Sequence, residues 1–349
     1  MPCGYHTLLI TVEGLVAFGY NWGGQLGLGH KEDQKEPALV PWSGPRPVQV
    51  DWGYHHSLVL DEEGGVWAAG VHQGPSFVLS FERVAAIPLV TQVAAGYDHS
   101  AALDVDGALW MWTNRSSLLG WFPTPQRVEG FPLLQRVACG RQFIVAEAEE
   151  GGLWVLGDNC KGQLGLGHTF KASMPTLVKI KEPLDGSLRC LAALHSGILV
   201  VDAKGALWTA GCTVDAQVRQ SGDGLEFQRI EGVPPLVRAA CGHQHSLALD
   251  EVGRVWVWGG AEHGQLGTGS TINQLQPVLL GLSERSSGIA CGGFHSLAFQ
   301  HDGSLLIFGN NCFGQLGLSH TISQPLPTLS PLLCQTGRKK SARSDSQRG

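Results

Sequence analysis

The sequence predicts an all-β fold, a seven-bladed β-propeller with about four antiparallel strands per blade, and three observations predict it. The first is a unit that recurs seven times along the 349 residues. It reads glycine, histidine-serine, aliphatic run, acidic turn, tryptophan run, glycine. Its clearest copies are CGHQHSLALDEVGRVWVWGGAEHGQLGTG from Cys241 and CGGFHSLAFQHDGSLLIFGNNCFGQLGLS from Cys291. The anchors fall at Gly4, Gly53, Gly96, Gly140, Leu194, Gly242 and Gly292, at intervals of 43 to 54 residues. Such periods mark units that cannot bury their own apolar faces and must stack on neighbours.

The second observation is the hairpin inside each copy. His245 and Ser246 open the run Leu247-Ala248-Leu249, the turn Asp250-Glu251-Val252-Gly253 follows, and Val255-Trp256-Val257-Trp258 returns to Gly259. Two short runs of strand-forming residues around an acid and glycine turn make a β-hairpin. The same pattern spans Thr7 to Gly19, Ser57 to Gly70, Ser100 to Trp112, Ser196 to Gly211 and Ser296 to Gly309, while Phe143 to Gly157 keeps the hairpin and replaces histidine-serine with Phe143-Ile144. The third is that the rest of each unit carries a GQLG turn, a proline such as Pro37, Pro175, Pro277 or Pro325, and an apolar run into the next anchor, such as Leu134 to Cys139 or Val237 to Cys241. Two further strands per unit and almost no helical periodicity complete the propeller pattern.

Seven units assign residues 3–335 to one propeller and 336–349 to a basic tail. The 48 glycines recur in register, so they mark tight turns. A net charge of −6 argues against nonspecific nucleic-acid binding by the body of the chain. No run of about 18 apolar residues occurs, so no membrane partner or secretory signal is expected. Of nine cysteines, Cys3, Cys139, Cys241 and Cys291 precede anchors, and Cys160 and Cys312 share the turn leading to GQLG. Equivalent positions on separate blades cannot reach disulfide distance, so the expectation is small buried thiols in a reducing, intracellular setting, cytoplasmic or nuclear. No metal site is expected, since no C-x-x-C pair occurs.

The G-x-x-H-S anchors, the W-G or F-G strand ends and the asparagine-rich turn before G-Q-L-G resemble the repeat of the regulator of chromosome condensation family over about 330 residues. That resemblance implies a seven-bladed propeller; no cofactor is expected. It leaves function open, because the scaffold serves exchange factors for small GTPases, chromatin-binding proteins, a plant light receptor, ciliary scaffolds and ubiquitin-ligase modules. The light receptor's G-W-R-H-T string does not occur here.

Individual motifs read as structure. GQLGLG at Gly24 and Gly162 has phosphate-loop spacing, but no helix follows, and the motif returns at Gly264 and Gly314. His6, His56, His99, His195, His245 and His295 recur in register, and each is expected to bridge backbone groups within its own blade. Trp67, Trp110, Trp154, Trp208 and Trp256 share one offset and read as packing between blades. The hairpin tips collect acids on one face. The candidate partner-binding set is Asp61, Glu62, Glu63, Asp104, Asp106, Glu147, Glu149, Glu150, Asp250 and Glu251, with Glu13, Asp202 and Asp302 in the same turns.

No catalytic constellation emerges, and the reading is a noncatalytic scaffold for protein partners, with variation concentrated in 72–83, 114–125 and 212–228. The alternatives are a guanine nucleotide exchange factor for a small GTPase, whose inserted wedge must here be short or absent, and a regulator that meets histones through the acids. Nucleic acid is at most a weak partner of the tail, GRKKSARSDSQRG. The segment from Leu326 to Cys334 is expected to join the N-terminal hairpin in one composite blade and so close the ring.

Overall fold

The computed structural model describes residues 4–73, 76–114, 119–120, 122–180, 184, 186–193, 195–211 and 224–334. The anchor Leu194, most of 212–228 and the tail lie outside them. Every described strand belongs to one of seven antiparallel sheets, six of four strands and one of three, so the expected propeller is the observed fold. Blade 2 shows the order: Pro47–Trp52, His56–Asp61, Val66–Gly70 and Val78–Arg83, each bonded to the next. The first strands of neighbouring four-stranded blades lie against one another around a central channel. All but the blade 2 strand, which ends in Trp52, end in small residues, as in Val137-Ala138-Cys139 and Ala239-Ala240-Cys241, because converging sheets leave least room near the axis.

These inner strands are tied by side chains. Gln49 accepts from the Val93 N–H (3.1 Å) and donates to the Val93 carbonyl (2.8 Å). Gln92 does the same at Val137, at 3.0 and 3.1 Å, and the Cys190 sulfur does so at Ala239. One amide thus stands in for ladder bonds that separate sheets cannot make. Between blades lie apolar clusters shared by both partners. Leu8, Leu15, Ala17 and Leu26 meet Trp52, Val59, Ala69 and Phe81 between blades 1 and 2.

The anchor motif has a steric cause. A Cβ on Gly242 would lie 2.2 Å from the His245 ring, and one on Gly140 2.0 Å from the Phe143 ring. Glycine is therefore required three residues before the ring that lies over it. The histidines do not bridge their own blades, as expected from sequence; they reach the next one. His6 meets the Ser57 hydroxyl at 2.8 Å, His56 meets Ser100 at 3.0 Å, His245 meets Ser296 at 2.9 Å and His295 meets Thr7 at 2.8 Å. In blade 4 that position carries Ile144, so His99 has no hydroxyl to meet there. Register also removes His195 from the set: Gly197 pairs Gly211 as His245 pairs Gly259.

The GQLG turns are structural hooks onto the next blade. Gly29 donates to the Leu79 carbonyl, Gly167 to Leu225 and Gly269 to Pro325, each at 2.8 Å. Asparagine holds the hook: the Asn311 Oδ1 accepts from the Leu316 N–H (2.9 Å), and its amide donates to the His320 carbonyl (2.8 Å).

Ring closure departs from the sequence expectation. Gln324–Leu329 pairs with Leu305–Gly309 as the outer strand of blade 7, and Pro331–Cys334 forms a single helical turn. Among the described residues, blade 1 holds His6–Thr11, Gly14–Gly19 and Gln34–Leu39. The repeat itself dictates this, because the Q-x-x-P-x-L pattern places Gln324 to Leu329 where Gln34 to Leu39 and Gln274 to Leu279 stand. Prolines fit such outer strands, whose far edge needs no ladder donor. The ring closes by packing of Leu9, Val16 and Phe18 against Leu297, Leu305, Ile307 and Leu316. Hydrogen bonds from Gly293 to the Gly4 carbonyl (2.9 Å), from Ser319 to the Lys35 carbonyl (3.0 Å) and from the Thr7 hydroxyl to the Gln315 carbonyl (2.8 Å) complete it.

Candidate partner-binding surfaces

In every blade the strand that follows the anchor runs to the hairpin turn, so the anchors and hooks share one face and the acidic turns the other. The ten candidate acids divide sharply. Asp61, Asp104, Glu147 and Asp250 are buried, as is Asp202. Asp61 accepts from the Gly65 and Glu63 N–H groups at 2.7 and 3.0 Å and from the Trp67 indole at 2.7 Å. Asp104 and Asp250 serve Trp110 and Trp256 in the same way. Burial alone would raise the Asp250 carboxyl, yet bonds from the Arg254 N–H and side chain and from Trp256 hold it below its ordinary value. Glu147 accepts from Arg136 at 2.6 Å and from the Leu188 N–H at 2.8 Å. These carboxylates build turns and are withdrawn from a partner.

Glu62, Glu63, Asp106, Glu149, Glu150 and Glu251 are exposed. Arg46 pairs with Glu62 at 3.1 Å, and Arg189 with Glu251 at 2.6 Å. Glu149 and Glu150 border a cavity of about 530 Å³ floored by Leu153, Val178 and Ile180. The division yields a measurable contrast. Asp61→Ala orphans two backbone donors and one indole and is expected to cost about 2–4 kcal/mol in urea unfolding. Glu63→Ala should stay within about 0.5 kcal/mol; equal effects would show that burial does not separate the two acids.

The opposite face carries a feature that sequence reading missed. The residues just after the anchors form a closed rosette of rings over the channel mouth. Tyr5 meets Tyr54 at 6.1 Å between centroids, Tyr54 stacks on Tyr97 at 4.5 Å, and Tyr97 meets His195 at 6.4 Å. His195 meets His243 at 4.7 Å, His243 meets Phe294 at 5.0 Å, and Phe294 returns to Tyr5 at 5.8 Å. The Arg141 guanidinium lies over Tyr97 at 5.5 Å. Burial, with Arg141 and Lys161 nearby, pushes His195 down to about 4, so its ring is neutral at pH 7. Phe313 and Tyr20 extend the rosette outward, and Trp22, 57% exposed, packs edge-on against Phe77 beyond them. The available signal was the residue two before the ring position: Tyr54, Tyr97, Arg141, His195, His243.

The remaining motifs resolve simply. Cys139, Cys241 and Cys291 are buried as expected, but Cys160 and Cys312 are exposed, because the hook places that turn at the surface. The tryptophans cap their own turns as well as packing, through the six-residue Asp-to-Trp spacing of Asp61/Trp67, Asp104/Trp110, Asp202/Trp208 and Asp250/Trp256. No group of three metal-ligating side chains occurs among the described residues, and no described helix is long and apolar enough to cross a membrane.

Comparison with known proteins agrees with the fold. Residues 14–60, 150–185, 252–299 and 302–339 match one model described as the regulator of chromosome condensation (RCC1) repeat, and residues 90–112 and 237–265 match a second of the same description. The Protein RCC2 homolog of Danio rerio is 29% identical over 312 residues, covering 80% of this chain and 45% of that protein. The Probable E3 ubiquitin-protein ligase HERC6 of Homo sapiens is 34% identical over 122 residues, 32% of this chain and 11% of that protein, so the chain matches only a small part of the ligase. Among solved structures, human WBSCR16 superposes with a TM-score of 0.79 at 23% identity, covering 90% of this chain and 93% of that one. Prp20p of Saccharomyces cerevisiae, described with its binding to Gsp1p and histones, superposes with a TM-score of 0.77 at 21% identity, covering 90% and 85%.

Proposed function

This chain belongs to the regulator of chromosome condensation (RCC1) repeat family, and from that premise we propose that it is a noncatalytic scaffold that binds protein partners through its rosette face. The observation that carries this reading is the unbroken circuit of rings across the channel mouth, with Trp22 exposed at its flank. Contiguous aromatic surface rimmed by charge is what protein interfaces use: rigid rings give large contact area at little entropic cost, and Tyr, Trp and Arg dominate binding energy. Arg141, Lys31 and Lys161 supply such a rim. The exposed acids Glu63, Asp106, Glu149 and Glu150 form the second candidate surface, suited to a basic segment such as a histone tail.

The test is in-cell crosslinking with mass-spectrometric identification of partner and contact site. A partner crosslinked beside the rosette should be lost, by at least about tenfold in recovery, in a Trp22→Ala/Tyr97→Ala double variant and retained in Glu149→Lys/Glu150→Lys. The reverse pattern moves recognition to the acidic face. An exchange factor is the alternative. Accelerated release of fluorescent GDP from a small GTPase by the wild-type chain would replace the scaffold reading with that one.

A further inference from the structure

Positive charge is unevenly placed around the rosette. Counted back from the strand register, blade 4 puts Arg141 where blades 2, 3, 5 and 6 put the rings of Tyr54, Tyr97, His195 and His243. Its guanidinium lies over the Tyr97 ring at 5.5 Å, which holds one face of the cation and leaves its N–H edge free to bond. The blade 4 hook adds a second cation. Lys161 holds the place of His263 and Phe313, and in all three the main-chain N–H donates to the glutamine of GQLG, at 2.8, 2.8 and 2.9 Å. From that place His263 reaches Phe294 at 5.0 Å and Phe313 reaches Tyr5 at 5.4 Å, each a rosette ring of the following blade. The same geometry sets Lys161 beside His195, whose proton affinity is lowered by burial, Arg141 and Lys161 together. Both cations are exposed, and neither forms an ion pair among the described residues. The acids closest in sequence are engaged or buried. Asp158 accepts from the Cys160 N–H at 3.1 Å and the Gln163 amide at 3.0 Å, bonds that the neutral Asn310 accepts in blade 7 at 3.0 and 2.7 Å. Asp98 is buried. On the opposite flank Lys31 lies over Phe77 and shares its hook with Glu32 and Asp33.

We propose that this flank of the rosette is an oxyanion seat, in which a carboxylate or phosphate on a segment of the protein partner lies between Arg141 and Lys161 while a neighbouring apolar or aromatic residue of that segment rests on the Tyr54–Tyr97 stack. The proposal rests on the rosette being the partner-binding face and names what that face selects. A planar guanidinium steadied by a ring meets two oxygens at once, and the ammonium supplies a second, separate point of attachment. The surrounding rings exclude water once a partner docks, which strengthens the charged hydrogen bonds. A lysine or arginine brought to the same place meets two like charges, so bases are rejected as well as acids preferred.

The probe is a phage-displayed library of random peptides panned against the full chain. Selected peptides are expected to carry Asp or Glu next to an aromatic residue, and panning against Arg141→Glu/Lys161→Glu should replace that acid by Lys or Arg. One selected peptide is then synthesised with Glu, Gln or phosphoserine at the acidic position and titrated by calorimetry. Glu to Gln in the peptide should weaken binding to the wild-type chain by at least about tenfold. The same change should matter less than about twofold for Arg141→Ala/Lys161→Ala, because the pairing it removes is already gone. These variants should melt with the wild type, since both side chains are exposed. Tighter binding of the phosphoserine peptide than of the Glu peptide assigns the seat to a phosphorylated partner, and the reverse order to a carboxylate. Peptides that depend on the rings, being lost in Trp22→Ala/Tyr97→Ala, but show no preference for an acid overturn the seat and leave the rosette reading standing. Peptides indifferent to both double variants, or no selection at all, overturn both. Self-association in sedimentation that Arg141→Ala and Glu262→Gln each abolish overturns the proposal too, by making the exposed Glu262 of a second copy the occupant.

Discussion

Acidification from pH 7 to about pH 5 is expected to unfold this protein cooperatively. The cause is a set of buried, neutral imidazoles. Burial pushes His6, His99, His245 and His295 down to about 3, with neighbouring histidines adding to the shift at His6 and His245. In the unfolded chain an imidazole takes up its proton near pH 6.5. Below that pH the unfolded state therefore binds more protons than the folded one, and the stability each histidine contributes at neutral pH drains away as pH falls towards the folded value. Each such group removes about 1.4 kcal/mol per pH unit, and four together about 5 to 6. A domain stable by roughly 5–15 kcal/mol loses most of that within one to two pH units. Urea titrations followed by tryptophan fluorescence between pH 7 and 5 should show the midpoint falling steeply. His295→Gln should flatten that slope measurably while lowering stability at pH 7, because its bond to Thr7 at ring closure is weakened. A urea midpoint unchanged at pH 5 would refute the buried, neutral state of these rings.

Gly292→Ala should be among the most damaging single-methyl additions in the chain. A Cβ there would stand 1.8 Å from Cε1 and 2.3 Å from Nδ1 of His295, the ring that joins blade 7 to blade 1. The ring must leave its site or the anchor must shift, and either breaks the closing contact. A loss above about 3 kcal/mol is expected, with aggregation as strand edges open. Gly303→Ala is the control: Gly303 has φ of +86° but nothing within 4 Å, so only backbone strain of about 1–2 kcal/mol applies. Adding His295→Gly to Gly292→Ala should recover part of the loss by removing the obstructing ring. Thermal melts of the three variants decide it, and a single variant as stable as wild type, or no recovery in the double, would sink the steric account.

That rescue has a natural precedent within the sequence. The one anchor that is not glycine, Leu194, belongs to the one repeat whose ring position is glycine, Gly197. The exchange is visible in the letters, but its meaning needs the register, which also shows that His195 belongs to the rosette.

What the sequence by itself determined is the local order: seven hairpins, their acid and glycine turns, the repeating hooks and hence the propeller. These depend on alternation and turn chemistry within a dozen residues, which a linear reading samples fully. Only the tertiary structure decided which residues of different repeats become neighbours. His6 meets Ser57 across 51 positions, and His295 meets Thr7 across 288. The rosette joins residues from six blades, and the acids of one turn differ because Asp61 folds back onto Trp67 while Glu63 points to water. Curvature of the ring sets these contacts, and curvature is a property of stacked sheets that no single repeat contains.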